Sequence, residues 1–72
     1  MTEIERLKKL AAELYRMSNK EFERANEYQP GTPQRTSHYS VSCAYNVALD
    51  LVNQQITAVL KEMQDVINNA YK

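Results

Sequence analysis

The fold is decided at residues 28–33, YQPGTP, which hold the only glycine and both prolines of the 72-residue chain. Proline disfavours helical geometry in the residue before it, and a proline–glycine pair favours a turn. A first helix is therefore predicted to end near Tyr28. The second helix has two candidate starts, one with Thr32 as the N-cap and Pro33 in the first turn, the other at Ser37.

The residues before this turn have the pattern of one amphipathic helix. Thr2 and Glu5 fit a capping box, in which each side chain bonds a backbone N–H of the first turn. A stripe recurs in steps of three and four along the segment, and it comprises Ile4, Leu7, Ala11, Leu14, Ser18, Glu21, Ala25 and Tyr28. Its small members Ala11, Ser18 and Ala25 predict a line along which a second helix approaches closely.

After the turn, the chain predicts one long uninterrupted helix. No proline or glycine follows Pro33, and an apolar heptad series continues almost to the last residue. Its members are Tyr45, Leu49, Val52, Ile56, Val59, Met63, Val66 and Ala70. The predicted boundaries are about 3–28 for helix 1, about 29–36 for the loop and about 37–71 for helix 2.

Helix 2 is predicted to overhang helix 1 and to need a second neighbour. At 1.5 Å per residue the helices measure roughly 39 and 52 Å, so an antiparallel helix 1 runs out at about residue 62. A second apolar line follows another side of helix 2, at Ala44, Val47, Leu51 and Ala58. The predicted fold class is therefore all-α, an antiparallel helical hairpin with an overhanging second helix that assembles into a dimeric four-helix bundle or a higher oligomer. The predicted oligomer interface comprises Val47, Leu51, Ala58, Met63, Val66, Ile67, Ala70 and Tyr71.

Composition limits the class of protein. The chain has room for one domain, 1–72, which is too small to be stable alone without association or cross-links. Nine basic and nine acidic residues balance to a net charge of zero, which makes nucleic acid an unfavourable partner. The longest apolar runs are three residues, against roughly 20 for a membrane span, so no membrane partner is expected.

The only cysteine, Cys43, excludes an internal disulfide and is expected to pack as a small apolar residue. Together with an N-terminal segment that lacks the pattern of a signal peptide, this lone thiol predicts a cytoplasmic location.

No catalytic or metal motif is present in the sequence. His38 and Cys43 lie about 140° apart around a helix, so they form neither a zinc pair nor a catalytic dyad. No glycine-rich phosphate loop exists, since Gly31 is the only glycine. We therefore expect no enzymatic activity, no cofactor and no metal, and for His38 a structural role ahead of a ligand contact.

Glu21 is unusual because it occupies a core-facing position where an apolar residue is normal. In an antiparallel hairpin it falls near Ser42 and Tyr45, where its carboxylate can accept hydrogen bonds. It can also reach Arg24 or Arg35, or turn to solvent.

Two functions fit these observations. The first is a small interaction or regulatory protein, such as an inhibitor of the phage type, that binds a protein partner stoichiometrically as a homo-oligomer. The second is an oligomeric sponge for a small anionic, nucleotide-like ligand, because the loop end gathers aromatic rings, hydroxyls and an arginine beside a helix N-terminus. The residues of this predicted site are Tyr28, Arg35, Ser37, His38, Tyr39, Ser42 and Tyr45.

Overall fold

The computed structural model describes residues 2–70, which form two helices, α1 over Glu3–Asn26 and α2 over Pro33–Ala70, and no strand. The helices pack against each other as an antiparallel hairpin, as predicted. Helix α1 ends two residues before the expected Tyr28. Of the two candidate starts for α2, the structure has the earlier one, so the predicted range 37–71 began four residues too late.

The start of α1 is fixed by the predicted capping box. The backbone N–H of Glu5 donates to Thr2 Oγ1 at 3.1 Å, and the backbone N–H of Thr2 donates to Glu5 Oε2 at 3.4 Å. Two N–H groups that the first turn leaves without helical partners are thereby satisfied.

The link between the helices is a tight turn built around Gly31. The N–H of Thr32 donates to the carbonyl of Gln29 at 3.2 Å, and Gly31 has φ of +87°. A positive φ at the third residue, after proline at the second, is the geometry of a type II turn, which favours glycine. The Thr32 hydroxyl then accepts from the N–H of Arg35 at 3.4 Å, which starts α2.

The closest contact between the helices is made by their smallest side chains. Among the described residues only Ser18, Ala25 and Ser42 are buried, with 3%, 0% and 4% of their surface exposed. Ser42 Oγ donates to the Ser18 carbonyl at 3.1 Å, and Ser18 Oγ lies 3.1 Å from Ser42 Oγ and 2.8 Å from Asn46 Oδ1. The predicted line of small residues is therefore the line of closest approach, and its two hydroxyls are satisfied by hydrogen bonds.

Larger apolar side chains flank this contact without being enclosed. Eight apolar residues of the predicted stripes are half-buried, namely Ile4, Leu7, Ala11 and Leu14 on α1 and Leu49, Val52, Ile56 and Val59 on α2. No large side chain among residues 2–70 is fully buried. The hairpin thus has a contact seam but no enclosed core.

Helix α2 extends well beyond α1, as predicted. The 24 residues of α1 and the 38 of α2 correspond to roughly 36 and 57 Å. Every residue from 61 to 70, a segment that we call the overhang, is exposed. The molecule is consequently a rod of 60 × 21 × 11 Å.

We expect Gly31→Ala to lower the free energy of unfolding by about 1 kcal/mol, because an L-residue resists positive φ. The added Cβ meets no atom within 4 Å, so the backbone conformation alone is tested. Urea denaturation measures the change, with Gly31→Asn as the control that should lose less. Equal stability of Gly31→Ala and wild type would contradict the turn assignment.

We expect Ser18→Leu to destabilise the hairpin by about 1–3 kcal/mol, because extra side-chain volume separates two helices that touch at this point. The matched control is Asn19→Leu, the same kind of change at the next residue, which is exposed. Chemical denaturation at one fixed protein concentration compares the two. Similar unfolding midpoints for both variants would show that the helices do not approach closely at Ser18.

Candidate functional site

Four residues of the predicted ligand site at the loop end form two pairs of side-chain contacts, which are joined by a hydrogen bond from Arg35 to the Tyr28 carbonyl. Arg35 and Tyr39 form one group, and Tyr28 and His38 form another. Ser42 is buried between the helices. Of the remaining two residues, Ser37 is exposed and Tyr45 lines a groove beside α1.

Arg35 ties the start of α2 to the end of α1. Its Nη1 donates to the carbonyl of Tyr28 at 3.0 Å, and its Nη2 donates to Tyr39 Oη at 3.0 Å and to Asn26 Oδ1 at 3.4 Å. The guanidinium carbon also lies 5.2 Å from the centre of the Tyr39 ring. The arginine thus satisfies a carbonyl that follows α1, and several of its donors already have acceptors within the chain.

Tyr39 extends this group to the side of α1. Its ring meets Phe22 edge to face, with centroids 5.4 Å apart and planes at 70°. Its hydroxyl donates to Asn26 Oδ1 at 3.1 Å. Phe22 nevertheless keeps 47% of its surface exposed, so the aromatic pair covers one flank of the hairpin without closing it.

Glu21 and His38 form the shortest polar contact between the helices. His38 Nδ1 lies 2.6 Å from Glu21 Oε2, and the other carboxylate oxygen accepts from Arg24 at 3.3 Å. The His38 ring stacks on Tyr28 with centroids 5.7 Å apart and planes at 12°. Because an ionised carboxylate only accepts hydrogen bonds, Nδ1 carries the hydrogen in this pair.

The electrostatics of this pair favour the ionised carboxylate. The hydrogen bond from His38 lowers the pKa of Glu21, and the nearby positive charges of Arg24 and Lys20 act in the same direction. Partial desolvation opposes them, but the net pKa is below the usual value of 4.5. The Glu21 side chain is 16% exposed.

The contact from Glu21 to Arg24 was among the sequence predictions, whereas the contact to His38 was not. In the pair Glu21–His38, as in the pair Ser18–Ser42, the two residues lie at about the same distance along the sequence from Pro30, one before it and one after it. A prediction that paired residues at equal distances on either side of Pro30 would have identified the contact between Glu21 and His38. The sequence analysis instead predicted that Glu21 lies opposite Ser42 and Tyr45, about one helical turn further along α2 than His38.

A groove of about 190 Å³ runs along α1 beside Tyr45. We call it the basic groove, and its lining comprises Arg16, Met17, Lys20, Glu21, Arg24 and Tyr45. Arg16 is paired with Glu13 and Arg24 with Glu21, whereas Lys20 forms no ion pair among residues 2–70. This groove was not predicted from the sequence, although cations repeating every fourth residue were the available signal.

The apolar residues predicted as an oligomer interface are exposed in the hairpin. Val47 and Leu51 on one side of α2 keep 60% and 57% of their surface exposed, and Val66 and Ile67 on the overhang keep 68% and 50%. Met63, Ala58 and Ala70 are exposed as well, while Tyr71 lies outside the described residues. A wide groove of about 880 Å³ lies where α1 begins, between Ile4 and the overhang.

Cys43 does not pack as expected. It is exposed in the hairpin as a free thiol, so the prediction that it packs as a small buried residue was wrong. The reason is the hairpin register, which directs Ser42 into the seam and turns the next residue away by about 100°.

Other sites and known proteins give no further assignment. Within residues 2–70, no three histidine, cysteine or acidic residues are grouped in a way that can hold a metal ion. Neither of the two described helices combines the length and the apolar character that crossing a membrane requires. No family model, curated protein or solved structure matches the chain.

We expect Glu21→Gln to destabilise the protein at neutral pH and to have little effect in acid. A folded-state pKa below the unfolded value adds stability above pH 4.5, and that stability is lost as the pH falls through the folded pKa. Thermal melts of wild type and variant should therefore converge as the pH is lowered from about 6 to about 3. Glu23→Gln, an exposed change on the same helix, is the control. A gap in melting temperature that is constant across this range would contradict the ion pair.

Proposed function

We propose that this chain is a small, non-enzymatic interaction or regulatory protein that acts by stoichiometric binding as a helical oligomer. A dimeric four-helix bundle is the simplest such assembly. The observation that carries the proposal is that α2 exposes apolar side chains on two sides while α1 covers only part of one.

The amount of exposed surface supports association. The chain exposes 5668 Å², whereas a compact protein of 8.4 kDa exposes about 4,600 Å². The excess of roughly 1,000 Å² is comparable to the roughly 800 Å² that each partner buries in a standard protein interface. Likewise, the radius of gyration is 17.5 Å, against about 11 Å for a compact chain of this length.

The composition of that surface supports the same interpretation. The exposed large apolar residues include Leu10 and Phe22 on α1 and Leu51, Met63 and Val66 on α2, which together span most of the rod. Exposed apolar surface on this scale is typical of protein interaction sites. Helical faces of this kind usually pack against another helix, supplied by a second copy or by a partner protein.

The polar residues give more support to binding than to catalysis. Glu21 and His38 engage each other, and no nucleophilic side chain contacts either of them among the described residues. A catalytic pair normally leaves one member directed at the substrate or at a nucleophile. The two side chains form a hydrogen-bonded contact between the helices, which fits a protein that acts by binding.

The alternative function, a sponge for an anionic, nucleotide-like molecule at the loop end, has less support. Arg35 directs donors at Tyr28, Asn26 and Tyr39, so fewer remain for a phosphate group. Of the seven residues of the predicted site, Tyr45 lines the basic groove and Ser42 is buried between the helices.

An exposed Cys43 is compatible with the predicted cytoplasmic location, because free thiols persist in reducing compartments.

The double change Val66→Glu and Ile67→Glu tests the assembly. In a lone hairpin both side chains are half exposed or more, so the new charges should change stability by less than about 0.5 kcal/mol. In an oligomer they place two carboxylates in an apolar interface, and we expect dissociation with loss of helicity. Sedimentation velocity and circular dichroism measure the two effects.

The matched control is Lys61→Glu, which changes the net charge by the same amount on another side of the overhang. It should leave the mass unchanged. Retention of the wild-type oligomer by the double variant would exclude the overhang from the interface.

A further inference from the structure

One flank of α2 repeats with unbroken heptad spacing from the loop end into the overhang. Its apolar members are Val41, Tyr45, Ala48, Val52, Val59 and Val66, and we call it the α2 flank. The remaining positions of the series are Gln55 and Glu62. The spacing alternates between four and three residues throughout, which keeps all eight positions on one side of a helix.

Helix α1 leaves the two ends of this flank open. Val41 is 38% exposed at the loop end, and Val66 is 68% exposed on the overhang. Between them the four apolar residues are half-buried, whereas Gln55 and Glu62 are exposed, because α1 touches the edge of the flank without covering it. The flank is therefore a mainly apolar strip about 38 Å long, interrupted by Gln55 and Glu62, with one free side.

We propose that a second copy of this chain occupies the α2 flank, with the two α2 helices antiparallel about a two-fold axis. This rests on the self-association proposed above and specifies its geometry. In this arrangement the overhang of each copy covers the loop-end half of the other. The assembly is the two-fold four-helix bundle with α2 from each copy at its centre.

The spacing of the flank is the same when it is followed in either direction along α2, so two antiparallel copies can pair position by position. Pairing the two ends places Val41 against Val66 of the second copy and Ala48 against its Val59. Each Val52 then faces a Gln55 next to the axis. A two-fold interface requires such self-complementarity, since one surface must fit a reversed copy of itself.

The same register gives Glu62, the one acidic residue of the flank, a positively charged environment in the dimer. Glu62 falls opposite Tyr45 of the second copy, and Tyr45 lines the basic groove. That groove holds Lys20, which forms no ion pair among the described residues, together with two arginines. A carboxylate is therefore brought to a cationic groove, and this charge complementarity favours the antiparallel arrangement.

Surface and charge both favour a second copy as the occupant. A strip about 38 Å long and about one helix diameter, or 10–12 Å, wide covers roughly 400 Å² in projection. Contacts with the neighbouring α1 helices, whose Leu10 is 47% exposed, bring the area toward the roughly 800 Å² per partner of a standard interface. The net charge of zero means that two copies do not repel each other at long range.

Disulfide trapping tests the arrangement in a Cys43→Ser background. A chain with both Val41→Cys and Val66→Cys cannot link these residues internally, because they lie about 37 Å apart on one helix. In the antiparallel dimer each Val41→Cys meets Val66→Cys of the second copy. We expect mild oxidation to give a covalent dimer on a non-reducing gel, and each single-cysteine chain to give none.

Charge reversal supplies a second measurement that does not depend on cysteine. We expect Glu62→Lys to weaken the dimer about tenfold, because it brings a cation to the basic groove. Adding Lys20→Glu to the same chain should restore most of the affinity. The control is Asp65→Lys, the same reversal three residues along and off the flank, which should change the dissociation constant by less than about twofold.

The outcomes separate this arrangement from self-association as such. Cross-linking of either single-cysteine chain would indicate parallel helices and overturn the antiparallel dimer. A dimer that neither cross-links through the cysteine pair nor responds to Glu62→Lys would place the interface elsewhere, while the proposed oligomer would stand. A monomeric mass for the wild-type protein at all concentrations would overturn both proposals.

Discussion

The hairpin depends on the contact between Ser18 and Ser42, where two helices meet through hydroxymethyl groups. Small side chains let the backbones approach closely. The Ser42 hydroxyl donates to the Ser18 carbonyl and the Ser18 hydroxyl donates to Asn46 Oδ1, and these hydrogen bonds fix which residues lie opposite. Because residues 2–70 form only two helices, which meet along one seam, this register decides the neighbours of the other residues along it. It brings Glu21 to His38, and it leaves ten residues of α2 without a partner helix.

The same contact explains why the hairpin lacks a core. A seam of small residues maximises proximity but removes little apolar surface from water, and hydrophobic stabilisation scales with that surface. Larger residues such as Leu14 and Val52 lie beside the seam and remain half exposed. The fold and its stability thus depend on different interactions. The register of the two helices is set by contacts within the hairpin, whereas most of the remaining apolar surface can be buried only against another helix.

Local rules predicted the parts of the structure that depend on local geometry. The capping box at Thr2 and Glu5 follows from residues three apart, and the Gly31 turn follows from backbone sterics. The loop-end site was harder, because it depends on how side chains from two helices share space. The predicted ligand donor Arg35 instead donates to the carbonyl of Tyr28, just after α1. His38 faces the carboxylate of Glu21, which was predicted to lie near Ser42 and Tyr45. A periodicity argument identifies which face of a helix is apolar, but the partner of each polar side chain requires the register.

The most direct test of the account is the thermal melting of the wild-type protein, followed by circular dichroism over a hundredfold range of concentration. Because an oligomer's stability depends on protomer concentration, we expect the melting temperature and the helicity to fall together as the protein is diluted. A melting temperature that stays constant, with a cooperative transition and a monomeric mass throughout, would show that the hairpin is stable alone and would contradict the account.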